Sequence, residues 1–170
     1  MEVGQEFVGE SGPITRDDIS EYAGASGDRN PIHIDEDFAT NIAGLNGVIA
    51  HGMLSFGYMS KVIDNIIEGA KIIKLGGEMR GMVRPGNTNR TVAKVEEING
   101  KRVKLDIVQT TILPLKIEKD GEIVKEFEGQ ERGWVRDKDK DSIATKEVDE
   151  GTLTYCETLS IKGTAEIELP

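Results

Sequence analysis

SGDRNPIHIDEDFATNIAGLNGVIAHGMLSFGYMSKVIDNII (residues 26–67) is the stretch on which the reading of the whole chain turns. Its second half, VIAHGMLSFGYMSKVIDNII (residues 48–67), is apolar at Val48, Ile49, Ala50, Met53, Leu54, Phe56, Tyr58, Met59, Val62, Ile63, Ile66 and Ile67. That leaves hardly any polar face in the first turns, and a helix apolar on nearly all sides must be surrounded. A membrane span needs about 20 predominantly apolar residues, and His51, Ser55, Ser60 and Lys61 interrupt this run. The segment is therefore expected to be the central helix of a soluble domain. Its first half, SGDRNPIHID (residues 26–35), reads as a loop that sets Asp28 and His33 five positions apart, around Pro31 and Ile32.

Working outward toward the N-terminus, Thr15 can cap a helix with Asp18 as the acidic partner of a capping box, and Ile14 and Ile19 stand at staple positions. That helix is expected to end near Gly24. Val3, Phe7 and Val8 alternate with polar residues as a short first strand would, and Asp35 can cap a short helix running to Asn41. Toward the C-terminus the pattern changes to short runs bounded by turn residues. Arg84-Pro85-Gly86-Asn87 is a tight-turn sequence. Two β-prone runs, Thr88–Ile98 and Lys101–Ile112, flank Asn99-Gly100, a strong hairpin signal. Asp120-Gly121 repeats the pattern, RDKDKDS (residues 136–142) reads as a solvated charged loop, and Thr164–Leu169 alternates as a half-buried strand. A helical N-terminal region, one central helix and successive antiparallel strands give an α+β class in which the sheet wraps the helix.

The 170 residues are expected to form one domain. With 21 Lys and Arg against 31 Asp and Glu, the net charge of −10 gives no general footprint for nucleic acid or an anionic membrane. A single cysteine, Cys156, and a start, MEVGQEFVGE, without a basic and then apolar run point to a cytoplasmic protein.

Asp28, Asn30, His33, Asp35 and His51 form a polar cluster that admits three readings. Asp28 and Asn30 are ordinary turn residues and His33 a satisfied imidazole in the first; Asp28, His33 and His51 hold a metal in the second, which no helical His pair or Cys cluster supports. In the third, a His and a carboxylate exchange protons with a water and a substrate. His51-Gly52-Met53 opens the apolar helix, where unpaired N–H groups and the helix dipole favour an oxyanion. Ser60 lies eight positions further, about two turns along.

SGDRNPIHID followed by IAHGML strongly resembles the MaoC-like R-specific enoyl-CoA hydratases and related hydroxyacyl-thioester dehydratases. LGGEMRGMVRPGNT (residues 75–88) and GTAEIEL (residues 163–169) extend the similarity over most of the chain. The resemblance implies a hot-dog fold, a homodimer or paired subunits, and reversible addition of water to a trans-2-enoyl thioester, giving the R-3-hydroxyacyl product. It places the catalytic aspartate on Asp28, the catalytic histidine on His33, the water-site asparagine on Asn30, the oxyanion-binding glycine N–H on Gly52 and a helix serine on Ser60. No metal or cofactor is implied beyond the coenzyme A of the acyl-CoA substrate. Lys71, Lys74, Arg80, Arg84 and Arg90 make the stretch after the helix locally basic, and Lys74, Arg80 and Arg84 are candidates for the coenzyme A phosphates. A carrier-protein dehydratase, a hot-dog thioesterase and a silent subunit are the competing readings. Residues 113–157 depart from the family pattern as an insertion whose hairpin is expected to pack on the sheet or beside the helix, with Trp134 in its core and Cys156 an inert small residue.

Overall fold

Thr15 begins the helical part of the chain as the sequence predicts: its hydroxyl accepts from Asp18 N at 3.0 Å, and the Asp18 carboxylate accepts from Thr15 N at 2.7 Å. In the computed structural model, which describes residues 1–170, this box opens α1 (Arg16–Ser26), preceded by β1 (Glu6–Ser11). α1 runs past Gly24 and stops at Gly27, whose φ of 78° is a left-handed conformation glycine adopts freely. The stretch read as a loop then contains one helical turn, α2 (Pro31–Ile34), with Asn30 as its cap and Pro31 at its first position. Proline is preorganised for that place, which explains why a turn-like sequence is helical here. Asp35 accepts from Phe38 N at 2.9 Å, and a π-helical turn follows at Phe38–Ile42.

The central helix, α3, spans Gly52–Asp64 and is shorter than the apolar run. Val48–His51 is extended, because Ile49 N bonds to Ile32 O at 3.2 Å and Ala50 N to Val83 O at 2.8 Å. The expectation that this helix is surrounded on nearly all sides is corrected: Ser55, Met59 and Ile63 are buried, whereas Met53 is 55 % exposed. Within one chain the sheet covers a single face of α3.

That sheet is antiparallel, in the order β1, β3 (Thr88–Asn99), β4 (Arg102–Lys119), β7 (Gly151–Glu168), β2 (Lys71–Met79). Asn99-Gly100 joins β3 to β4 as expected, and Asp120-Gly121 joins β4 to β5 (Glu122–Glu126). A third hairpin, β6 (Ile143–Val148) with β7, is legible only in the structure. The last strand is 18 residues long and begins at Gly151, where the sequence suggested Thr164. Residues 113–157 consequently include the far halves of β4 and β7, the strands β5 and β6, a short helix α4 (Glu128–Glu131) and a 3-10 turn at Asp137–Ser142 where the charge run lies. Ile123 and Val124, expected to pack, are exposed on β5.

The concave face of the sheet has three zones. Under α3, Met59 and Ile63 pack on Ala93, Val95, Val103, Leu105, Ile107, Ile161, Ala165 and Ile167. Next comes a polar band of buried residues in which Thr91 donates to Gln109 Oε1 at 3.0 Å, Thr111 to Asn89 Oδ1 at 2.8 Å and Ser160 to Gln109 O at 3.0 Å. Beyond it Leu113, Leu115, Trp134 and Cys156 form a second apolar cluster under α4. Trp134 and Cys156 are thus packing residues, and burial raises the Cys156 thiol above its usual pKa. No helix of the protein is long and apolar enough to cross a membrane.

Candidate active site

Asp28, His33 and His51 meet where α1, α2 and α3 converge, each presenting one donor atom within 4.8 Å of the others. Gly27 turns the chain so that Asp28 follows α1 directly, and the Asp28 carboxylate accepts from Asn30 N at 3.2 Å. α2 then carries His33 inward, nine-tenths buried.

Backbone carbonyls determine the protonation pattern of both imidazoles. His33 Nδ1 lies 2.8 Å from Ile49 O and His51 Nε2 lies 2.9 Å from Asp28 O. A carbonyl oxygen only accepts, so each of these nitrogens carries the hydrogen and the other nitrogen of each neutral ring holds a lone pair. His33 Nε2 is thereby left as an acceptor. The rings are stacked, with centroids 3.8 Å apart and planes inclined by 28°, and Tyr22 packs against His51 at 4.9 Å. Burial pushes the His33 pKa below that of a free imidazole; the bond to Ile49 and the charge of Asp28 oppose this, and proximity to His51 reinforces it. The lowered pKa favours the neutral form of the His33 imidazole.

The same three residues are the set that could hold a cation. A metal requires donors converging at about 2.0–2.1 Å on one point. Two stacked imidazoles aim their in-plane lone pairs side by side, so one ring would have to turn first.

Helix α3 starts immediately after His51. His51 O accepts from Leu54 N at 3.1 Å and Ser55 N at 3.3 Å, so the N–H groups of Gly52 and Met53 precede the first intrahelical bonds. Gly52 is an exposed residue and faces Met79, whose Cγ would lie 3.1 Å from a Cβ at that position. The side chains brought together are therefore Asp28, His33 and His51, and Gly52 follows His51 directly in the chain. Asn30 stands beside them but spends its Oδ1 on capping Ile32 N at 3.3 Å. Ser60 is half-buried on α3, about 12 Å along the axis from Gly52 by helical rise. A shallow depression of about 240 Å³ opens at His33, lined also by Arg16, Asp17, Ser20, Ile34, Glu36 and Val48.

The basic residues are dispersed. Lys74 is exposed near Glu166 at 3.9 Å, on the outer face of the sheet, and Arg80 is paired with Glu78. Arg84 departs from the expectation of a phosphate contact at the surface: it is 7 % exposed and donates to Leu45 O at 2.6 Å and Gly47 O at 3.3 Å. What sequence reasoning missed is the supporting role of His51 and of the Ile49 carbonyl. A His directly ahead of an apolar helix was the available signal for the first; the second is a backbone atom and leaves no residue type to read.

Comparison with known proteins follows this geometry. A model of the MaoC like domain matches residues 1–114. A 3-hydroxyacyl-thioester dehydratase Y of Mycobacterium tuberculosis is 36 % identical over 81 residues, 46 % of this chain and 28 % of that protein. An (R)-specific enoyl-CoA hydratase of Rhodospirillum rubrum is 38 % identical over 77 residues, 44 % of this chain and 53 % of that protein. The chain thus spans about a quarter to a half of the length of these relatives. The solved structure of the R-hydratase PhaJ1 of Pseudomonas aeruginosa superposes with a TM-score of 0.67 at 23 % identity, covering 100 % of this chain and 83 % of that one. The sheet curled against one helix is the hot-dog fold of these neighbours. With two-thirds of its length matched by the family model, including the Asp28–His33 segment and the start of α3, the chain belongs to the MaoC-like domain family.

Proposed function

We propose that this protein hydrates trans-2-enoyl-CoA thioesters to R-3-hydroxyacyl-CoA, and runs the reverse dehydration, by Asp28 and His33 acting on one water. The observation that carries the reading is the bond of His33 Nδ1 to the Ile49 carbonyl, which leaves Nε2 free to accept, in a side-chain group with Asp28 and His51 directly ahead of α3. In hydration the water oxygen bonds to C3 of the substrate while one water proton passes to His33 Nε2. Asp28 accepts a hydrogen bond from the other water hydrogen and orients the attack. The C2–C3 double bond becomes single, its electrons move toward the thioester oxygen, and the Gly52 N–H stabilises the enolate-like charge there. The imidazolium then returns its proton to C2, so that one water has been added and His33 restored. No resident cofactor is needed for this sequence, and a homodimer in which a second copy covers the open face of α3 is part of the proposal.

The test is hydration of crotonyl-CoA followed by loss of the enoyl absorbance, with the configuration of the product determined. Asp28→Asn and His33→Ala are each expected to lower turnover at least about a hundredfold, the scale of a lost acid–base group, with circular dichroism unchanged. Near-normal turnover by either folded variant would exclude its role. Transfer of the acyl group to water, with free coenzyme A released, would identify a thioesterase instead.

A further inference from the structure

Arg84 is a buried cation without an anion. Of its five N–H donors, the bonds formed run to the carbonyls of Leu45 and Gly47, and its guanidinium lies over the Trp134 ring at 4.8 Å. The carboxylates nearby are engaged elsewhere: Glu36 and Glu128 with Arg16 and Arg132, and Asp139 with Arg136. Four guanidinium groups thus face three carboxylates, and the unpaired one, at 7 % exposure, is the most buried. Burial first, and then the charges of Arg132 and Arg136, pull the Arg84 pKa down to about 10, which leaves the group charged at neutral pH. Burying an ion is costly unless a partner compensates it.

A second uncompensated group shares its surroundings. Asn87 is 2 % exposed and its Oδ1 has no hydrogen-bond partner. A buried polar atom of this kind is costly, and in a folded protein it points to a bound water or ion. Arg84 and Asn87 line the same small pocket of about 50 Å³, with Thr111, Trp134 and Thr158. Its remaining walls include apolar Leu113 and Val135, and Cys156, whose thiol burial keeps protonated. Asp139 also lines it, but that charge is held by Arg136. A water needs about 10–15 Å³ by this measure, so the space fits a guest of a few atoms and excludes a nucleotide phosphate. The pocket shares no lining residue with the depression at His33.

We infer that this pocket is a binding site for a small monovalent anion, a halide or a planar oxyanion of about the size of formate. Arg84 supplies the countercharge and a fork of N–H donors suited to a planar oxyanion, and the Asn87 amide supplies further N–H donors. A neutral water would satisfy Asn87 and leave Arg84 uncompensated. The site joins three segments of the chain. Arg84 stands just ahead of β3, its bonds hold Leu45 and Gly47, and Trp134, under its guanidinium, donates to Asn46 O at 2.7 Å. An anion bound there stabilises the junction of the loop before α3 with the segment after α4. The inference is independent of the hydratase reading, since Asp28, His33 and His51 are not among the residues that line the pocket.

The experiment follows thermal unfolding of the full chain in potassium gluconate, whose anion is too large for the pocket, and replaces gluconate stepwise by chloride, nitrate or formate at constant ionic strength. At least one of these anions is expected to raise Tm saturably, by about 3–6 °C at a tenfold excess over its dissociation constant. Asn87→Asp, which sets a carboxylate in the pocket wall, and Arg84→Met, which removes the cation, are each expected to abolish that rise. General salt effects act alike on parent and variants, so the difference between them reads the pocket. Should neither variant fold, the density difference between crystals soaked in the stabilising anion and in gluconate decides, with a peak expected against Arg84. The inference is overturned by the lack of a saturable rise with all three anions, by an equal rise in a folded variant, or by density for water only. Absence of hydration with every thioester would remove the hydratase reading and leave this one standing.

Discussion

At the scale of single residues, two backbone carbonyls do as much for the site as the side chains. Ile49 O selects the His33 tautomer and Asp28 O selects that of His51, so a base is available without any protonation change. Because burial lowers the His33 pKa, the imidazole stays neutral further into acid than a free one. The acid limb of the kcat/KM profile for crotonyl-CoA, which reports the free enzyme, is therefore expected to have its midpoint below 6.5, the ordinary histidine value. A midpoint at or above that value would show that His33 is not the group titrating. Asp28 and His33 were legible as a pair because the Gly-Asp-x-Asn-Pro-x-His order of residues 27–33 is unusual for an ordinary loop. The buried Arg84 was not: its surroundings depend on Leu45, Gly47 and Trp134, which lie far apart in the chain.

At the scale of elements, α4 acts as a strap across the helical side of the sheet. Arg16 of α1 forms a two-bond pair with Glu128 of α4 at 2.6 and 2.9 Å, Arg132 holds Glu128 at 2.8 Å and also meets Glu36, and Trp134 donates to Asn46 O at 2.7 Å. The bond from Arg16, with the charges of Arg16 and Arg132, keeps the Glu128 carboxyl below its usual pKa against the effect of burial. A depressed carboxylate contributes stability that is complete above the unfolded value near 4.5 and is lost as pH falls through the folded value. Arg16 is nearly half exposed, so solvent screening limits the pair to roughly 1 kcal/mol. Glu128→Gln is expected to lower stability by about that amount at pH 7 and by clearly less at pH 3, read from urea unfolding. An equal loss at both pH values would assign the effect to packing instead. The capping box of α1 and the Asn-Gly hairpin were readable because their chemistry is local. The short α3 was not, since hydrogen bonds to Ile32 and Val83 claim Val48–Ala50 for an extended path that no periodicity records.

At the scale of the whole molecule, the single chain leaves apolar surface uncovered. Met53 on α3, Met79 and Ile73 on β2, Met82 and Leu159 are all exposed, and the edge of β2 offers unpaired backbone groups. An edge of this kind invites pairing, and the all-round apolar pattern of residues 48–67, which one sheet face does not account for, makes sense if a second copy supplies the rest. Sedimentation is expected to show a dimer at assay concentration, and Met53→Asp to shift it toward monomer with a loss of activity. A fully active parent monomer would remove the dimer from the proposal. The α+β class was legible from the order of patterns along the chain. The extension of β4 and β7 through residues 113–157 was hidden, because hairpin signals mark where strands turn and not how far they pair.

The position of β7 also bears on how the protein is made. It is the last strand of this chain, yet it lies between β4 and β2 and pairs with β4 from Arg102↔Glu168 to Glu118↔Thr152. Until residues 151–168 have left the ribosome, β2 and β4 lack their shared neighbour and the floor beneath α3 is missing Ile161, Ala165 and Ile167. The hairpins at Asn99-Gly100 and Asp120-Gly121 are free to close during synthesis, but the centre of the sheet is not. Completion of the sheet thus waits on residues 151–168, and for a period set by translation at about 5–20 residues per second the nascent chain presents two open strand edges to its surroundings.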